Sequence, residues 1–267
     1  MLVSTTLLVF IVIGLTAMFV ETQRAFKTGL RQSTMADAGR TIVDMMSADL
    51  SQASDAQDPA ITNLFCHWWT TNFTYQYEDA STIAYRTNQL QDIFVLVHTN
   101  TQWLGIGYAV SNWGPGVGTL YRYLLSTNAP LLDNSLFEGF FNGFTPAFGL
   151  HFDRVADGVI HLKIRAFDPF GNEYPQGLDY ARAEPFYDFG YPAPAHTNTL
   201  PNSLANEVPE AGLPNSIQLE VGVLEPEVFE QLRSLPANSA AQTNFLGKAG
   251  GHIQVFRQNI PIAAATR

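Results

Sequence analysis

Residues 1–20 read MLVSTTLLVFIVIGLTAMFV and carry no charged side chain, and the more polar sequence after them runs to Pro59 without a proline. An uncharged run of this length crosses a ~30 Å hydrocarbon core as a helix. A cleaved secretory signal would need a basic start, a shorter apolar stretch and a small-residue cleavage site. No base precedes this run, and Thr16-Ala17-Met18 is a poor cleavage site. A core helix of a soluble protein keeps a polar face, whereas this segment is apolar all the way round. The reading is a membrane-inserting helix.

Residues 21–56 keep a helical apolar stripe. Met35, Ala38, Ile42, Met46, Leu50 and Ala53 recur at steps of three or four, and Phe26 and Leu30 extend the stripe backwards. Arg40, Asp44 and Asp49 fall off it. An unbroken helix of ~56 residues is ~84 Å long at ~1.5 Å per residue. Its first half is expected to project from the body and its second half to lie on it, with Met35, Ile42, Met46 and Leu50 as packing residues. Two helices hinged at Gly29 or Gly39 are the alternative. The chain thus divides into a transmembrane and stem helix, 1–57, and a β-rich globular domain, 58–267.

The whole chain of 267 residues is 46% hydrophobic but only 14% charged, against ~25% charged in ordinary soluble domains. Residues 1–56 hold five acids and four bases, so −9 of the net −10 belongs to the remainder. An acidic body without basic clusters is unsuited to nucleic acid, whose phosphates require Lys and Arg. Cys66 is the single cysteine, which excludes an internal disulfide.

Strand signals dominate the body. Residues 93–97 form a continuous apolar run, 103–110 a second, and 119–125 a third, the last two joined through Gly114-Pro115-Gly116-Val117-Gly118. In 159–167, Ile160, Leu162, Ile164 and Ala166 are expected on one face and His161, Lys163 and Arg165 on the other. Ile217, Leu219, Val221 and Val223 repeat the pattern against Gln218 and Glu220, the mark of strands covered on one side. Glu225-Pro226-Glu227 opens a short helix, residues 240–249 form another, and 252–260 return as a last strand. The proline-rich segment 169–214 reads as irregular loop.

No catalytic constellation stands out. The glycines at 114, 116 and 118 lack the Lys-Ser/Thr of a phosphate loop and fit a hairpin turn. Cys66-His67 has no second cluster at metal-ligand spacing. Histidines 98, 151, 161, 196 and 252 stand singly, outside any triad or HExxH setting. In the turn 168–173, Asp168, Asn172 and Glu173 offer oxygens that would suit calcium, though without EF-hand spacing; ordinary turn chemistry explains the same residues. Trp68, Trp69, Phe73, Tyr75 and Tyr77 suit strands and core, with sugar stacking as the alternative. The expectation is a non-enzyme with no catalytic residues, no cofactor, no metal and no small-molecule substrate.

The first 26 residues, MLVSTTLLVFIVIGLTAMFVETQRAF, resemble the region just after the Phe-Thr-Leu-x-Glu motif of prepilin-type segments. GRTIVDMMSADLSQA, from Gly39, is similar to the stem of J-type minor pseudopilins. The chain also resembles the Verru_Chthon cassette protein C group, pilin-like proteins of the Verrucomicrobia, through LPNSIQLEVGVLEPEVFEQL from Leu213 and AGGHIQVFRQNIPI from Ala249. The likeness covers both ends and matches the middle loosely. It implies an α+β fold with a long N-terminal helix on a mainly antiparallel sheet. It also implies a minor subunit of a type IV pilus or type II secretion-like filament. Such a subunit sits in the bacterial inner membrane with its body extracytoplasmic, and its partners are other pilin-like subunits met through the helix. The alternative is a membrane-tethered binding module, carbohydrate-binding in its best version, or a hydrolase.

One departure is the missing peptidase motif. Arg24, Lys27 and Arg31 all follow the apolar run, which on the positive-inside rule would turn the body toward the cytoplasm. An upstream in-frame basic leader ending in such a motif is therefore expected.

Overall fold

The computed structural model describes residues 2–58, 61–68, 75–79, 82–112, 116–128, 130–131, 133–143, 149–174, 177–179, 184–189, 213–237 and 239–263. Helix α1, Leu2–Leu50, is one unbroken rod of 49 residues, ~74 Å long at ~1.5 Å per residue. It passes through Gly29 and Gly39 without a hinge. Thr16, Thr22, Thr28, Thr34 and Thr41 each donate the hydroxyl hydrogen to the carbonyl four residues back, at 2.8–3.0 Å. Hydroxyls satisfied within the helix in this way can enter apolar surroundings without an open polar group.

The chain then forms β1 (Leu64–Trp68), β2 (Tyr75–Asp79), β3 (Thr82–Thr87), β4 (Gln91–Thr99), β5 (Gln102–Asn112) and β6 (Gly118–Asn128). Helix α2 (Ser135–Asn142) leads to β7 (Phe152–Phe167), β8 (Gly177–Asp179), β9 (Glu184–Phe189) and β10 (Ser216–Leu224). Helices α3 (Pro226–Ser234) and α4 (Ala240–Lys248), with one 3₁₀ turn, precede β11 (Ile253–Pro261). Among the described residues, nine strands make one antiparallel sheet in the order β11-β10-β7-β6-β5-β4-β1-β9-β8, and β2 and β3 pair as a separate hairpin. The fold is α+β: a long N-terminal helix laid on an antiparallel sheet.

The main core lies between α1 and the sheet, where Ile42, Met46 and Leu50 meet Leu64, Ile93, Val95, Val97, Leu162, Ile164 and Val221. Strand alternation supplies these inward side chains, so the helix stripe and the period-two strands define one apolar layer. Contrary to the one-sided expectation, parts of the other face are covered too. Helix α2 packs Leu136 and Phe140 on Phe94, Leu96 and Tyr123, and α3 and α4 pack Val228, Phe229, Leu232 and Leu246 on Ile160 and Leu224.

Ile160 corrects the sequence reading. The register shifts between Gly222 and Val223, which face His161 and Val159 respectively. Ile160 is therefore an extra residue in β7, and it joins the α3–α4 cluster while Leu162, Ile164 and Ala166 stay with α1. A bulge inverts the side-chain alternation on one side of itself. The segment expected as loop beyond Pro169 also contains β8 and β9, and β9 extends the sheet by pairing with β1. Residues 190–212 lie outside the described residues.

The β5–β6 hairpin forms as expected, with Asn112 facing Gly118. Gly116 supplies a positive φ of 87° in its turn, a conformation that glycine adopts without strain. Pro226 begins α3 at the position where its missing N–H costs nothing, with Glu227 in the first turn and Arg233 in the last.

Candidate functional site

The site with the clearest physical signature is α1 and its seat. From Leu8 to Leu30 the described helix residues are all exposed, among them Phe10, Leu15, Phe19, Phe26 and Leu30. Burial begins at Met35 and recurs at Gly39, Ile42, Val43, Met46, Ser47, Asp49 and Leu50. One chain segment thus combines a free apolar half and a seated half. The helix is long and apolar enough to cross a membrane, by length and composition.

Of the expected packing residues, Met35, Ile42, Met46 and Leu50 are all buried in the main core, and Ala53 continues it. Ala38 is exposed, and Gly39 takes the inward place instead. The reason is close approach: a Cβ on Gly39 would overlap the Phe256 ring of β11. Gly39→Ala should therefore lower stability by about 1–3 kcal/mol through overpacking. The companion change Phe256→Leu should recover most of that loss, and a double-mutant cycle of urea midpoints measures the coupling.

Asp49 was expected off the packing stripe, yet it is buried at 8% exposure. It holds the deepest polar contact of the seat. Arg122 on β6 forks onto its carboxylate, Nε to Oδ2 at 2.8 Å and Nη2 to Oδ1 at 3.0 Å. The fully buried Tyr108 on β5 donates its hydroxyl hydrogen to the same Oδ2. Tyr108 and Arg122 are direct cross-strand partners, so both reach one point above the sheet, where the helix places a carboxylate. Further along, Arg31 Nη2 meets Glu227 Oε2 of α3 at 2.5 Å. The seat is thus apolar in its middle and ionic at both ends.

Burial, and then the hydrogen bond to Asp49, pushes the Tyr108 hydroxyl well above the ordinary tyrosine range. Burial alone pushes Tyr123, which donates to the Leu136 carbonyl at 3.1 Å, up to about 12. Unfolded tyrosine ionises near ~10. With folded values raised above that, the contribution of both groups is complete below pH ~10 and declines as pH rises further, through about 12 for Tyr123 and beyond that for Tyr108. Unfolding midpoints should fall steeply over that window, and Tyr123→Phe should flatten the fall. Absorbance of tyrosinate against pH measures both.

The turn 168–173 is organised from within. The Asp168 carboxylate accepts from the N–H groups of Phe170 and Asn172, both at 2.8 Å, and from the Asn172 amide at 2.9 Å. The Asn172 amide, followed by those backbone donors, holds the Asp168 carboxyl below its ordinary range. Glu173 Oε1 lies 4.0 Å from Arg165 Nε. Asp168→Ala should open the turn and lower the melting temperature, while millimolar calcium or EDTA should leave the wild-type melting curve unmoved.

The other singled-out residues are dispersed. Cys66 is fully buried, and desolvation first, then the Asp92 charge, raises its thiol well above the ordinary range. His67 faces Asp92 across β1 and β4. His98 packs against Trp103 at a centroid distance of 4.3 Å, with the rings tilted by 36°. His151 lies in a left-handed turn at φ 91°. His252 Nδ1 meets the buried Glu225 Oε2 at 2.6 Å. His196, Trp69, Phe73 and Gly114 lie outside the described residues, and Trp68, Tyr75 and Tyr77 are described in backbone only. Among the described residues no group of three or more His, Cys, Asp or Glu is placed to hold a metal ion.

No protein-family model matches the chain, and no curated protein matches it significantly. Asp49, Gly39, Tyr108 and Arg122 are the seat residues that sequence reasoning missed. The available signal was Asp49 itself, an acid between the stripe positions Met46 and Leu50.

Proposed function

We propose that this chain is a pilin-like structural subunit, a minor pilin or pseudopilin of a type IV pilus or type II secretion-like filament. In this reading α1 anchors the chain in the inner membrane before assembly and packs among neighbouring helices afterwards. The body lies on the extracytoplasmic side, and no catalytic role is assigned to it. The observation that carries the reading is the division of α1 into a seated half and an exposed apolar half. A ~30 Å hydrocarbon core occupies about 20 helical residues. Phe26 and Leu30 lie beyond the uncharged run, yet stand 73% and 59% exposed. A tether gains nothing from large apolar side chains there, whereas a packing stem buries them against other helices.

Cysteine placement tests this directly, because Cys66 is buried and contributes little background. Phe26→Cys and Leu30→Cys are expected to cross-link to neighbouring subunits in the producing cells. Mechanical shearing should release the adducts with surface filaments, or detergent should extract them as helix-linked oligomers. A membrane-tethered binding module would instead label freely with an impermeant maleimide, form no adduct, and stay with the membrane after shearing.

A further inference from the structure

Strand β7 outruns its neighbour. Its pairing with β6 ends at Val159 opposite Gly118, while its pairing with β10 continues to Phe167. Beyond that point, the edge of β7 that had faced β6 needs new partners for its amides. The segment entering β4 supplies them. Leu162 N–H donates to the Gln89 carbonyl at 2.8 Å, Ile164 N–H donates to Gln91 Oε1 at 2.5 Å, and Leu90 bridges Leu162 in parallel. This seam draws the start of β4 onto β7 across the ends of β5 and β6, and so curls the sheet.

Gln89 carries a second tie, since its N–H donates to Nδ1 of His161 at 3.0 Å. An imidazole nitrogen that accepts a hydrogen bond holds no proton, so the neutral ring carries its hydrogen on Nε2. Nε2 lies 3.4 Å from Glu220 Oε2 on β10, and Arg257 Nε on β11 lies 3.3 Å from Glu220 Oε1. The His161 and Glu220 side chains are both more than nine-tenths buried. Among the described residues, the other charged groups on this side include Lys163, opposite Glu220, Arg165, opposite Gln218 and 4.0 Å from Glu173, and Asp92, opposite His67. One polar line thus runs from β11 through β10 and β7 to the segment before β4.

We propose that this seam is an acid-released latch: a proton taken from solvent onto His161 Nδ1 turns the acceptor of the Gln89 N–H into a second donor, and residues 88–91 let go of β7. Glu220 still accepts from Nε2–H of the imidazolium, so the β7–β10 pairing stays while the seam opens. Histidine is the side chain whose ordinary titration falls in the range where such a device works. The inference is independent of the filament reading, because it concerns the body alone.

Hydrogen exchange of the full-length protein in detergent micelles, at about pH 7.5 and about pH 5 with intrinsic rates corrected, tests it. Peptides spanning 88–94 and 160–166 should exchange roughly tenfold faster in acid, the size expected when a buried N–H loses its acceptor. Peptides spanning 102–112 should not change. In His161→Gln the side-chain carbonyl accepts the same N–H without titrating, and the acid step should vanish. Equal protection of wild type at both pH values overturns the latch, as does an unchanged acid step in His161→Gln. Should that variant not fold, the wild-type ring is followed by NMR. Titration of His161 together with faster exchange at Leu162 and Ile164 supports the latch, and titration with unchanged exchange overturns it.

Discussion

Replacing Ile42 by Asp in the full-length protein, held in detergent micelles, is expected to lower the unfolding free energy of the body by several kcal/mol. Ile42 is 2% exposed and sits in the middle of the seat, among side chains of α1 and the sheet. A carboxylate there has no partner, and an isolated buried charge costs far more than the apolar contacts it replaces. The protein then has two outcomes: the acid takes up a proton and stays, or the lower part of α1 lifts from the sheet. Either reads as an earlier urea midpoint, and lifting also loosens the near-ultraviolet signal of the core tyrosines. Ile42→Val deletes one methylene at the same place and should cost only ~0.5–1.5 kcal/mol. Equal midpoints for wild type and Ile42→Asp would show that the helix does not rest on this face in solution.

The second large effect is expected at Asp49. Changing it to Ala leaves the Arg122 guanidinium and the Tyr108 hydroxyl facing an apolar seat without their acceptor. Breaking a buried pair by removing one partner costs ~3–5 kcal/mol. The Arg122 side chain keeps 25% of its surface exposed, which lets water relieve part of the penalty and places the loss near the lower figure, ~3 kcal/mol. Replacing all three polar partners together, Asp49→Leu with Arg122→Met and Tyr108→Phe, should recover much of this loss, because no charge or hydroxyl is then stranded. Urea unfolding of the single and triple variants decides the matter. A triple variant no more stable than Asp49→Ala would mean that the network contributes shape as well as charge.

These two residues also separate what was legible in the chain from what was not. Ile42 announces itself, since Met35, Ile42, Met46 and Leu50 recur at helical spacing and a stripe of that kind has to find a surface. Asp49 does not, because its partners lie 59 and 73 residues away. A charge read only against its own helix is assigned to solvent. Gly39 behaves in the same way: as a glycine in a helix it suggests a hinge, and only the Phe256 ring shows that its missing side chain is what lets helix and strand approach. Among the strands, continuous apolar runs located β4, β5 and β6, and alternation located β7 and β10. The bulge that sends Ile160 to the opposite cluster has no local mark, since the shift between Gly222 and Val223 exists only in the pairing of β7 with β10. In the same way β9 reads as loop until β1 pairs with it.

By itself the sequence determined a long apolar helix running into an amphipathic stem, a β-rich acidic body, and the side of the stem that meets it. All of these follow from local periodicity and charge, which neighbouring residues share. Only the tertiary structure decided where the helix is held, how the sheet curls and which polar groups are buried. Each of those depends on side chains brought together from distant strands, and the free energy of a buried carboxylate, a glycine contact or a hydrogen-bonded histidine belongs to the set of partners and not to the residue.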